Sequence, residues 1–148
     1  MGDLRSHPSS TSWRPIWAGK WSSWAYDLKA DHVAAGDTLH LALYWRALAG
    51  MERSYKVFTH LLGDDGRIWG QKDDFPGQGA LPTTSWVVGE VIVDEYEITV
   101  DPGAPIGDYQ LEIGMYDPRS GARLPILDEK GEIQGDRILL EKTAMGKQ

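Results

Sequence analysis

The residues best suited to hold a ligand lie in one short stretch, Arg67-Ile68-Trp69-Gly70-Gln71-Lys72-Asp73. In an extended segment alternate side chains share a face. Arg67, Trp69, Gln71 and Asp73 then fall together, opposite Ile68, Gly70 and Lys72. An indole face stacks on sugar C–H groups while an amide and a carboxylate bond hydroxyls. Trp69, Gln71 and Asp73 are therefore a candidate carbohydrate-binding set. The competing reading packs Trp69 into a core, where tryptophan usually resides.

Other chemistry finds little support. The sequence has no G-x-S-x-G elbow, no H-E-x-x-H and no P-loop. Gly77-Gln78-Gly79 starts like a dinucleotide fingerprint, but Pro82 stands where the third glycine belongs. His7, His32, His40 and His60 are scattered. His40 and His60 approach each other only if their strands pair, and two imidazoles without a third ligand do not make a metal site. Asp64-Asp65 and Asp73-Asp74 sit at opposite ends of one hairpin and cannot share an ion. Asp73-Asp74 with loop carbonyls is the remaining arrangement for Ca²⁺. Glycosidase chemistry needs two carboxylates about 5–9.5 Å apart in a cleft. With 22 acidic residues, a chance pair is no signal. The expectation is no catalytic residue, no metal and no cofactor.

The elements that must position these residues are strands. Residues 55–62 read as a strand with both faces partly apolar, suited to packing on two sides. Gly63-Asp64-Asp65-Gly66 supplies a tight turn, and residues 67–73 return. Residues 75–85 form a long loop with Pro76, Gly77, Gly79 and Pro82, closed by Trp86. Upstream, residues 24–30 suggest a strand. Thr38–Ala47 alternates most cleanly, with Leu39, Leu41, Leu43, Trp45 and Ala47 on one face. Downstream, residues 90–100 place Ile92, Asp94, Tyr96, Ile98 and Val100 on one face. Tyr109, Leu111, Ile113 and Met115 point inward from the next strand. Tyr109 follows a Pro/Gly corner, as a tyrosine corner does. Residues 122–127 pair back as a hairpin, and a last strand runs over residues 136–142. The whole predicts an all-β chain, an antiparallel two-sheet β-sandwich of about eight strands, immunoglobulin/fibronectin-like or jelly-roll-like.

At 148 residues the chain suits one domain, placed at residues 13–142 between a leader or linker over residues 1–12 and a frayed tail over residues 143–148. Trp13, Trp17, Trp21 and Trp24 imitate a helical face, but Pro15 and Gly19 argue for a turn or irregular segment that caps the core. The absence of cysteine excludes disulfides, thiolate metal sites and a cysteine nucleophile. A net charge of −7 with no basic run argues against nucleic acid or an anionic membrane surface as partner. Seven Trp and six Tyr suit an aromatic β core, or a sugar- or protein-binding surface. No stretch approaches the ~18 apolar residues of a membrane span, and no signal-peptide core lies near Met1. The chain is then either cytoplasmic or a soluble piece of a larger exported or membrane-bound protein.

Four blocks in order carry a family resemblance: Gly36-Asp37-Thr38-Leu39 with Leu43-Tyr44-Trp45-Arg46-Ala47; Tyr55-Lys56-Val57-Phe58-Thr59-His60-Leu61 with Asp65-Gly66-Arg67; Pro82-Thr83-Thr84-Ser85-Trp86 with Gly89-Glu90 and Asp94; and Gly107-Asp108-Tyr109 with Gly114-Met115-Tyr116-Asp117, Gly121 and Arg123-Leu124-Pro125. Over residues 24–142 the chain resembles a soluble β-sandwich domain attached to bacterial integral-membrane glycosyltransferases of the protein-mannosyltransferase type. The resemblance implies an extracytoplasmic accessory domain, tethered to the membrane through a segment outside this sequence. Catalysis would belong to the membrane-embedded part, and the domain would bind a glycan, an acceptor polypeptide or the cell surface. The Trp-rich leader departs from the pattern. His60, Asp73, Thr84, Trp86, Asp94 and Arg123 are the recurring polar and aromatic residues, either as binding residues or as anchors of the long loop. Trp69, Gln71, Asp73, Trp86, His60 and Arg123 are the resulting ligand-binding candidates.

Three other readings compete with the accessory domain. A free-standing carbohydrate-binding module requires two or more of Trp69, Trp86, Tyr44 and Tyr116 exposed on one face. A structural or protein-interaction domain buries them. An enzyme requires a cleft with convergent titratable groups.

Overall fold

A computed structural model describes residues 16–17, 21–29, 33–128 and 130–145. The alternating segments form strands. They are β1 (Ile16–Trp17), β2 (Trp21–Lys29), β3 (Thr38–Ala47), β4 (Lys56–Leu62), β5 (Ile68–Gln71), β6 (Val91–Thr99), β7 (Gly107–Tyr116), β8 (Ile126–Leu127), β9 (Ile133–Gly135) and β10 (Ile138–Met145). One sheet has the order β6-β3-β2-β1-β8-β9 and the other β10-β7-β4-β5. Every pairing is antiparallel. This is the expected two-sheet β-sandwich, and the short β1, β8 and β9 raise the strand number above the expected eight.

The core lies between the inner faces. Leu39, Leu41, Leu43, Trp45 and Ala47 of β3 and Ile92, Tyr96 and Ile98 of β6 meet Val57 and Leu61 of β4 and Tyr109, Leu111, Ile113 and Met115 of β7. The strict period-two patterns of β3 and β6 bury one face and free the other to carry polar groups, whereas β4 and β7 are covered on both faces. Asp94 interrupts the apolar row yet is fully buried. Its Oδ2 accepts from Trp45 Nε1 (3.0 Å) and the Tyr96 hydroxyl (2.6 Å), and its Oδ1 from the Gly77 amide (2.8 Å). Burial pushes the Asp94 carboxyl up, while the Gly77, Tyr96 and Trp45 donors oppose that. The Tyr96 hydroxyl is raised by burial and by the Asp94 charge beside it.

Those bonds fix the long loop. It makes two short 3-10 turns, Pro76–Gly79 and Thr83–Ser85. The buried Thr83 hydroxyl donates to the Arg53 carbonyl (2.7 Å) and accepts from the Tyr55 amide (3.1 Å). Trp86 is 5% exposed, and its indole N–H donates to the Leu81 carbonyl (2.9 Å). Gln78 holds a left-handed φ of 55°, the one non-glycine residue with positive φ among the described residues. Its amide donates to the Glu95 carbonyl (2.9 Å), which holds this costly conformation in place.

Several expectations change. β10 continues through Met145, which is buried and pairs with Gly107, where the sequence suggested a fraying tail. A lone methionine among polar residues is a weak core signal. Residues 122–127 begin a hairpin with β7 through the Tyr116–Arg123 bridge, but Ile126–Leu127 then crosses to pair with β1 and β9. β2 begins at Trp21 rather than at residue 24. Residues 1–12, Trp13 and residues 146–148 lie outside the described residues. The tyrosine corner is present, with the buried Tyr109 donating its hydroxyl proton to the Pro105 carbonyl.

Candidate functional site

The candidate ligand set does not assemble as alternation predicts. Leu61 pairs with Gly70 and Leu62 with Ile68, so the register shifts and Trp69 is the extra residue of a β-bulge. Trp69 packs against the core cluster, with Gly63 beneath its ring. Gln71, opposite His60, and Asp73 beyond it belong to the outer face of the four-stranded sheet. Trp86 is a core residue and offers no stacking face. Of the six candidates, His60, Gln71, Asp73 and Arg123 come together and the two tryptophans do not join them.

What gathers there is an ion network centred on Glu112. Glu112 of β7 is 5% exposed and sits opposite His60 of β4, which is 9% exposed. Glu112 Oε2 lies 2.8 Å from His60 Nδ1 and 3.5 Å from Arg123, and Oε1 accepts from Arg137 at 2.8 Å. The other imidazole nitrogen faces Asp73 Oδ1 at 3.5 Å, an ion-pair distance rather than a hydrogen bond. The Tyr116 hydroxyl donates to Asp73 Oδ2 at 3.4 Å. Asp73 raises the His60 imidazole above its ordinary 6.5, against burial, and Glu112 adds to the rise. Burial pushes Glu112 up, but Arg137, His60 and Arg123 together hold it below its ordinary 4.5.

The apolar floor of this network is Phe58. Its ring lies over Gly114, where any Cβ would stand 2.5 Å from a ring carbon, and the Arg123 guanidinium stacks 4.1 Å from its centroid. Arg123 also pairs with Asp136 at 3.6 Å. Opposite charges thus tie the segments flanking β8 and β9 onto the four-stranded sheet. The arrangement pairs carboxylates with an imidazole and two guanidinium groups. The sequence reading missed Glu112, Arg137 and Phe58; glycine at 114, in the interior of β7, was the available signal of close approach.

An open recess lies elsewhere, on the outer face of the six-stranded sheet. A groove of about 820 Å³ is lined by Asp27 and Lys29 of β2, His40, Ala42 and Tyr44 of β3, Glu95 and Glu97 of β6, and Lys72 and Gln78 from beyond β5. His40 lies 3.7 Å from Glu97 on the exposed rim. His40 and His60 stand on different sheets and do not meet. None of the six candidates lines this groove, whereas Tyr44, one of the stacking aromatics a free-standing binding module would use, does. Among the described residues, no group of three or more His, Cys, Asp or Glu side chains is placed to hold a metal ion. No helix among them is long and apolar enough to cross a membrane.

No known family's sequence model matches the chain, and no curated protein does. Solved structures do. The C-terminal domain of wzt superposes with a TM-score of 0.62 over 98% of this chain and 85% of that one, at 16% identity. The shared property is the β-sandwich fold. A glycoside hydrolase family 2 β-glucuronidase matches 69% of this chain and 11% of its own, with a TM-score of 0.46 and 9% identity. A Pyrococcus furiosus CARDB domain, solved in complex with di-metal ions, covers 90% of each chain with a TM-score of 0.45 and 13% identity.

Proposed function

We propose that this chain is a non-catalytic β-sandwich domain that recognises a glycan, acting as the extracytoplasmic accessory domain of a membrane glycosyltransferase. The carrying observation is the groove over β2, β3 and β6. It is concave, of ligand size, and mixes the Tyr44 ring with carboxylates, amines and the Gln78 amide. That mixture suits a ligand with hydroxyls at its edges and C–H groups on its faces. The resemblance of four sequence blocks to glycosyltransferase-attached domains supports the accessory role. Tethering would come from a segment of a longer chain.

A glycan array probed with the purified chain, followed by a fluorescence titration of any binder, tests the reading. Tyr44→Ala should weaken binding about 3- to 10-fold, the worth of one aromatic stacking contact. A blank array on folded protein would overturn the glycan reading. A protein-contact reading is favoured by a separate observation. Leu48, Leu81, Val87 and Val88 are exposed, and Gly89 bonds Ala47, which brings 48 and 87–88 to one end of the sandwich.

A further inference from the structure

The register of the six-stranded sheet decides what its groove accepts. Asp27, Ala42 and Glu95 are cross-strand partners in one row, and Lys29, His40 and Glu97 in the next. Neighbouring strands lie about 4.8 Å apart, so the outer two residues of a row stand about 10 Å apart at their backbones. Ala42 is the smallest side chain of its row and lies between two carboxylate-bearing neighbours, so the floor dips there. Tyr44 and His40 flank Ala42 along β3, each about 7 Å away. The result is a pit with a methyl floor, acidic side walls and an aromatic end.

Gln78 comes from the other side of the groove. Its backbone stays in the left-handed region while its amide grips β6 at the Glu95 carbonyl, so the loop forms a fixed wall. Among the described residues, the charges lining the groove are Asp27, Glu95 and Glu97 against Lys29 and Lys72, with His40 beside Glu97. The balance is acidic, and the whole chain carries −7.

We propose that the pit over Ala42 seats a neutral pyranose through a vicinal diol, and that the groove rejects acidic sugars. This rests on the glycan reading above. Carboxylates only accept hydrogen bonds, and two adjacent hydroxyls donating to one carboxylate make charge-assisted bonds of the strong kind. Glu95 is the acceptor assigned here. A uronic acid or a phosphate-substituted sugar brings a second anion against Glu95 and Glu97, where neither side has a proton to share. Ala42 sets specificity because any larger side chain fills the floor.

The test uses an array of neutral, uronic-acid-bearing and phosphate-bearing oligosaccharides, with titration of each binder. Neutral sugars should bind and acidic analogues should bind about 10-fold or more weakly. Ala42→Phe, a substitution favoured on an open strand face, should abolish binding with an unchanged thermal midpoint. Glu95→Gln should weaken the neutral ligand and narrow the gap to acidic ones, and it reports on the pit even if the Phe variant misfolds. Equal binding of acidic and neutral sugars, or full binding by folded Ala42→Phe, overturns this inference while leaving the glycan reading intact. A wild-type chain that binds nothing on the array overturns both.

Discussion

Replacing Glu112 by Gln should destabilise the fold well beyond an ordinary surface substitution. The side chain is 5% exposed and receives His60, Arg123 and Arg137. Removing one partner of a fully buried ion pair costs about 3–5 kcal/mol. Arg123 and Arg137 keep 33% and 45% of their side-chain exposure, so both regain water when the carboxylate is lost. That discounts the loss to about 2–3 kcal/mol. For a chain of this size it corresponds to a fall of roughly 6–12 °C in Tm. Urea unfolding followed by tryptophan fluorescence, at unchanged m, reads the loss directly.

The pH dependence carries the sharper test. The folded His60 pKa lies above its ordinary 6.5, so its stabilisation is complete below pH 6.5 and is lost as pH rises through the folded value. The folded Glu112 pKa lies below its ordinary 4.5, so its stabilisation is present above pH 4.5 and is lost as pH falls through the folded value. The network is therefore strongest between these limits. His60→Gln should abolish the part of the wild-type stability decline that begins above pH 6.5. A Glu112→Gln midpoint within about 0.5 kcal/mol of wild type at pH 5.5, the scatter of an ordinary surface substitution, would refute the network's structural role. So would a His60→Gln chain that keeps the full decline.

Two further changes probe the frame around that network. Gly114→Ala places a methyl against the Phe58 ring and the Asp136 carbonyl, and should cost about 1–3 kcal/mol by overpacking, measured by the same urea titration; a neutral result would mean that Phe58 is free to move aside. Tyr109→Phe removes the hydroxyl bond to Pro105 and should cost about 1 kcal/mol, and no change in midpoint would remove the corner's energetic role.

Much of the fold was legible because alternation is a local property. β3 and β6 read correctly, since each has one buried face and a strict period of two, and the inner face of β7 (Tyr109, Leu111, Ile113, Met115) read correctly although Glu112 and Gly114 opposite it are also covered. Asp94 stood out as a carboxylate in an apolar row, and the structure supplies the three donors that such a position requires. Tyr109 after its Pro/Gly corner was equally visible. Each of these signals lies within one strand and its turn.

The candidate site was not legible in the same way. Whether Trp69 joins Gln71 or the core depends on a one-residue bulge against β4, and a one-residue slip sends a side chain to the other face. Glu112 reads as an outward residue, and by alternation it is one. It is buried only because Arg123 and Arg137, 11 and 25 residues further along, lie against it. The groove draws on positions from Asp27 to Glu97 that meet through the β2-β3-β6 register and the placement of the loop holding Gln78. The sequence by itself determined the long strands, their turns, inner faces and the two-sheet architecture, since these follow from each residue's own side chain and immediate neighbours. Tertiary structure alone decided which polar residues are covered and which line a recess, because cover and concavity come from chain segments distant in sequence.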